Sequence, residues 1–111
     1  MNEAVDLRQA AATKLSGPHL RGPSDPTLLR DEVLAEVFAA TVATRGHHPA
    51  MRDGTRTLSY AEVWNHASQM ARGLMARGAA PGKVVGLWMP RGIDLLVAQI
   101  AITLTGAAWL P

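Results

Sequence analysis

The chain has 111 residues, 48% of them hydrophobic, with 11 basic against 9 acidic side chains for a net charge of +2, and it contains no cysteine. That length holds one small domain at most, and the scattered charges argue against nucleic acid or an anionic membrane as the main partner. The missing thiols exclude disulfides and thiolate metal sites, and with no basic stretch ahead of an apolar one at the start, the expected location is the cytoplasm.

Residues 1–27 carry the breakers Gly17-Pro18, Gly22-Pro23 and Pro26, and little periodic apolar content beyond a short helical stretch near Leu7 to Leu15. They read as a leader or linker, largely disordered, with order beginning at about Thr27. From Leu28 to Arg45 the residues Leu29, Val33, Val37, Ala40 and Thr41 recur at helical spacing, widened by Leu34 and Phe38, and Gly46 ends the helix. After His47-His48-Pro49, the segments Ala50-Met51-Arg52 and Arg56-Thr57-Leu58 flank an Asp53-Gly54 turn, which predicts a hairpin.

The next helix has an explicit start. Ser59 is followed three residues later by Glu62, the spacing of a capping box, while Leu58 and Val63 are placed for a hydrophobic staple. Val63, Ala67, Met70, Ala71 and Leu74 form one apolar face, and Gly78 stops the helix. Val84 to Met89 is a short apolar run between Pro81-Gly82 and Pro90-Arg91-Gly92, as a fully buried strand would be. Ile93 to Thr105 has helix length, with Asp94 offsetting the dipole in its first turn and Gly106 at its C-terminal cap, and Ala107 to Leu110 follows as another strand. Strand, crossover helix and strand predict a parallel unit, which needs a covering layer on both faces. The chain has too few elements to supply both, so the expectation is a truncated α/β domain, helices packed on an incomplete mixed or parallel sheet. The competing reading of the uncharged residues 95–111, a membrane span somewhat short of the ~20 residues a bilayer needs, is weakened by Gln99, Thr103, Thr105 and Gly106 and by the absence of a flanking basic cluster.

Several residues invite chemistry and each has a plainer role. Gly78-Ala79-Ala80-Pro81-Gly82-Lys83 resembles a phosphate-binding loop but lacks one spacer residue, ends on Val84 instead of a hydroxyl residue, and lies between helix and strand in inverted order. His47 and His48 are adjacent, with no third ligand at metal spacing; His66 belongs to an amphipathic helix and His19 to the leader. Ser59, His66 and Asp53 could be imagined as a hydrolase triad, yet the serine has no Gly-x-Ser-x-Gly elbow and already has a capping role. Arg91 follows the end of a strand, where open sheets bind ligands, and reads more simply as solvated. Trp64, Trp88 and Trp109 are expected to pack. From the residues alone there is no assembled active site.

Leu58-Ser59-Tyr60-Ala61-Glu62-Val63 resembles the first core motif of adenylate-forming enzymes, and Gly106-Ala107-Ala108-Trp109-Leu110-Pro111 resembles the start of their second. Between them, residues 84–95 are similar to amino-acid adenylation domains of nonribosomal peptide synthetases, and the Trp88–Gly92 run and Trp109–Pro111 ending to the poly-lysine synthetase type. Val63 stands for the usual Leu, Trp109 for Tyr, and Leu104-Thr105 for Lys-Ala. The resemblance covers residues 28–111 and implies the N-terminal part of an AMP-binding ligase. Such an enzyme uses ATP and Mg to convert an amino acid or other carboxylate into an acyl adenylate and pyrophosphate, then passes the acyl group to a phosphopantetheine or CoA thiol. Its phosphate loop, magnesium carboxylate, ribose-binding Asp and C-terminal lysine match no segment here. The expectation is therefore that this fragment alone is inactive, with no catalytic, cofactor-binding or metal residue to assign. The alternative from another class is a short non-enzymatic interaction module that completes its sheet on a partner subunit.

Overall fold

In the computed structural model, residues 24–111 are described; the helical stretch near Leu7 to Leu15 and His19 lie outside them, as does most of the expected leader. Pro26–Leu28 forms a single 3-10 turn, capped by the Asp25 carboxylate, which accepts from the Thr27 N–H at 3.0 Å and the Thr27 hydroxyl at 2.6 Å. The chain divides after Arg30, and every element below belongs to Asp31–Pro111.

Helix α1 spans Leu34–Arg45, six residues later than the apolar spacing alone predicts. Its start is fixed by Glu36, whose carboxylate reaches back to accept the Val33 N–H at 3.0 Å. This is half of a capping box, made without a hydroxyl at the cap. Leu28 and Leu29 continue the stripe in sequence but remain 75% and 84% exposed, with no core to hold them in a helix. Helical periodicity identifies a face, and the face needs something to pack on. Gly46 ends α1 as expected, although in a right-handed conformation (φ −49°) and not the left-handed one that favours glycine.

Strands β1, Pro49–Asp53, and β2, Arg56–Ser59, pair antiparallel, with Asp53 opposite Arg56 and an irregularity between Pro49 and Met51. The loop is Gly54-Thr55, one residue beyond the expected Asp53-Gly54 turn. Gly54 takes φ +56° at the first loop position while Thr55 keeps a negative φ, so a single glycine supplies the reversal and Asp53 stays in the strand.

Helix α2, Tyr60–Met75, and helix α3, Ile93–Leu104, pack against each other. The core joins Val63, Ala67 and Ala71 of α2 to Ile93, Val97 and Ala101 of α3, closed at one end by Leu58. Alanines at the facing positions allow close approach of the two backbones. Phe38, Met51, Leu74 and Leu104 pack around this cluster, whereas Met70, expected on the buried face, is exposed. Residues 63, 67, 71 and 74 already complete the stripe that α3 covers, and Met70 falls at its edge. Ala98 and Ile102 make a second buried stripe on α3, which also packs against β4.

Both helix ends use the predicted glycines. The Gly78 N–H donates to the Met75 carbonyl and the Ala79 N–H to the Leu74 carbonyl, each at 3.0 Å, with Gly78 at φ +97°: a Schellman motif. After α3 the Gly106 N–H donates to Thr103, but the second bond is relayed. The Thr105 hydroxyl donates to the Ile102 carbonyl at 2.7 Å and accepts from the Ala107 N–H at 3.2 Å.

Strands β3, Val84–Gly86, and β4, Ala108–Leu110, pair in parallel with Val84 opposite Ala108, which bears out the strand–helix–strand reading. Two corrections accompany it. The strand predicted over Val84 to Met89 stops at Gly86, and it is not fully buried: Val84 is 65% exposed, and Leu110 of its partner strand 61%. With one neighbour on one side, the ladder extends only as far as the Leu87 N–H, which donates to the Leu110 carbonyl at 2.7 Å. The fold is α/β, in two separate two-stranded sheets. Among the described residues no helix is long and apolar enough to cross a membrane.

Candidate functional site

The first four N–H groups of a helix have no partner within it and are a ready anion site when left free. At the start of α2 all four are committed. The Ser59 N–H donates to the Glu62 carboxylate at 2.8 Å and the Glu62 N–H to the Ser59 hydroxyl at 3.3 Å, completing the predicted capping box. The Tyr60 N–H donates to the His48 carbonyl at 3.1 Å and the Ala61 N–H to the Gly46 carbonyl at 2.9 Å. The end of α1 thus sits against the start of α2, where opposite ends of two helix dipoles attract. The Ser59 N–H, then its hydroxyl, and to a lesser degree the charge of His66, hold the Glu62 carboxyl below its ordinary value.

This arrangement gives Ser59 a structural role through both its N–H and its hydroxyl. Its hydroxyl donates to the Glu62 carboxylate at 2.8 Å. His66 lies two turns further along α2, about 10 Å by helical rise, and is exposed. Asp53 stands elsewhere, at the hairpin end, its carboxylate 3.0 Å from where a side chain on Gly92 would begin. The three residues are not assembled as a triad. His47 and His48 are both exposed, and the His48 main chain tethers the loop, its N–H donating to the Arg45 carbonyl at 2.9 Å.

The Gly78–Lys83 segment is likewise occupied with itself. The Lys83 N–H donates to the Ala80 carbonyl at 3.0 Å across Pro81-Gly82, with Gly82 at φ +80°, the pattern of a type II turn. Together with the Schellman bonds this commits the amides of Gly78, Ala79 and Lys83 to main-chain carbonyls. Among the described residues, no group of three or more His, Cys, Asp or Glu could hold a metal ion. The described residues therefore supply no carboxylate cluster to hold magnesium.

An open groove of ≈ 730 Å³ lies between β1 and the first half of α3, lined by residues including Met51, Arg52, Asp53, Arg91, Leu96 and Gln99. Arg91 lies on its rim and is exposed. Near its end the Arg56 guanidinium donates to the Asp94 carboxylate at 2.9 Å, joining the hairpin to the first turn of α3. The three tryptophans fare differently. Trp64 stacks on Phe38 with ring centres 6.2 Å apart, and Tyr60 meets Phe38 at 5.8 Å, within the range of favourable aromatic pairs. Trp109 is 36% exposed, and Trp88, expected to pack, is fully exposed because the chain leaves β3 at Gly86 and no described element covers it.

A family model described as AMP-binding enzyme matches residues 38–111, through the capping box and the whole β3–α3–β4 unit. The chain belongs to the AMP-binding enzyme family. Among its relatives is the delta-poly-L-ornithine synthetase of Acinetobacter baumannii (strain AB307-0294), 50% identical over 92 residues, which are 83% of this chain and 7% of that protein. The fold is shared with the N-terminal subdomain of Klebsiella oxytoca NpsA, at a TM-score of 0.67 and 20% identity over 70% of this chain and 20% of that one. It is shared too with PA1221, described as a nonribosomal peptide synthetase protein containing adenylation and PCP domains, at a TM-score of 0.66 and 24% identity over 68% and 15%. Both AMP-binding motifs read in the sequence fall inside the match. In this chain the polar side chains of the first cap the start of α2, and the main chain of the second pairs with β3.

Several contributors were not evident from sequence: Glu36 as a cap without a hydroxyl partner, the Arg56–Asp94 pair, the Thr105 relay and the Phe38 cluster. Only Glu36 carried a local signal, an acidic residue three positions after the cap.

Proposed function

We propose that residues 28–111 are the N-terminal part of an amino-acid or acyl adenylation domain, with residues 1–27 as a leader, in a cytoplasmic enzyme. That enzyme joins a carboxylate to ATP, releasing pyrophosphate, and passes the acyl group from the adenylate to a phosphopantetheine or CoA thiol. ATP supplies the leaving group and magnesium balances its charge when they are bound; the described residues of this chain form a site for neither. Their part is architectural. The capping box sets α2, the α2–α3 core sets the crossover, and the crossover sets the parallel register of β3 and β4 on which further strands would align.

The observation that carries this reading is the continuous family match over residues 38–111, supported by the 50% identity to delta-poly-L-ornithine synthetase. The test is a chimera in which residues 38–111 replace the matching segment of that synthetase, assayed by amino-acid-dependent ATP–pyrophosphate exchange. Exchange within about tenfold of the parent is expected, with none from the 111-residue chain alone. A folded chimera with no exchange, its circular dichroism and melting matching the parent, would overturn the assignment.

A further inference from the structure

We draw no further inference here: the strongest candidate, the open groove between β1 and the first half of α3 with Arg52 and Arg91 beside Met51 and Leu96, is an unpartnered face on which Asp53 also lies, and nothing in the structure shows what covers it.

Discussion

Gly106 lies directly against Pro81: a Cβ built on it would stand 2.8 Å from the proline Cγ, and its backbone is at φ +77°. Two independent penalties therefore meet any side chain there. The left-handed conformation costs about 1–2 kcal/mol for a non-glycine residue, and the proline ring on the turn into β3 has to move. Gly106→Ala is expected to destabilise the fold by about 2–4 kcal/mol, adding an overpacking cost to the backbone cost. Gly54→Ala is the control, since Gly54 has φ +56° and nothing within 4 Å of its Cβ position. Urea denaturation of both variants, and of Gly106→Ala combined with Pro81→Ala, separates the terms. Equal losses for Gly106→Ala and Gly54→Ala, with no relief from the proline change, would remove the contact from the account.

The Thr105 relay predicts a sharp difference between two conservative changes. Thr105 is 6% exposed and bridges the Ile102 carbonyl and the Ala107 N–H. Thr105→Val keeps the shape and leaves both groups without the hydroxyl, at a cost of about 1–3 kcal/mol. Thr105→Ser keeps the relay, and its expected loss, about 1 kcal/mol, is that of one methyl group. Thermal melting of the two variants is the measurement; a valine variant as stable as the serine one would mean the bridge contributes nothing.

At the capping box, Ser59→Ala is expected to cost about 1 kcal/mol. The acid dependence follows from Glu62, whose carboxyl is held below its ordinary value by Ser59. A depressed folded-state value means the charged form is favoured on folding. The contribution is therefore complete above the ordinary glutamate value of about 4.3 and is lost as pH falls through the lower folded-state value. Denaturation midpoints measured between pH 7 and pH 3 should fall less steeply for Glu62→Gln than for the unaltered chain. Identical slopes would show that Glu62 takes no part in the acid response.

The Arg56–Asp94 pair is short but open to water, with side chains 49% and 66% exposed. Exposed pairs of this kind contribute about 0–1 kcal/mol. A double-mutant cycle of Arg56→Ala and Asp94→Ala should give a coupling in that range at low salt and close to zero at 1 M, where the screening length is about 3 Å. Coupling that persists at high salt would indicate that the pair is desolvated and that the hairpin is more firmly docked than its exposure suggests.

Features written in consecutive residues could be read before the structure was known: the Ser59–Glu62 box, Gly78 and Gly106 as helix ends, and the strand–helix–strand order from Val84. Each rests on interactions spanning a few positions, so spacing alone encodes it. Much of what could not be read depends on neighbours distant in sequence. Leu29 fits the helical stripe as well as Val37 does, yet Leu29 is extended and Val37 helical, a difference that spacing does not record. The length of β3 is set by how far β4 runs beside it, which no property of Val84 to Met89 records. The first family motif was legible for the same reason as the caps, since Ser59 and Glu62 act on each other across three positions; the second was legible as a run of consecutive residues, although its main chain pairs with the distant β3. The groove lined by Arg91 joins residues some forty positions apart in the chain and had no linear signature.

Trp88 projects wholly into solvent while Trp64 is held against Phe38, so the chain carries its own optical gauge. Emission from Trp88 is expected to be red-shifted and open to collisional quenchers, and that from Trp64 to be partly shielded. Any surface that settles over the segment after β3 will shift the first signal toward the blue and leave the second where it was.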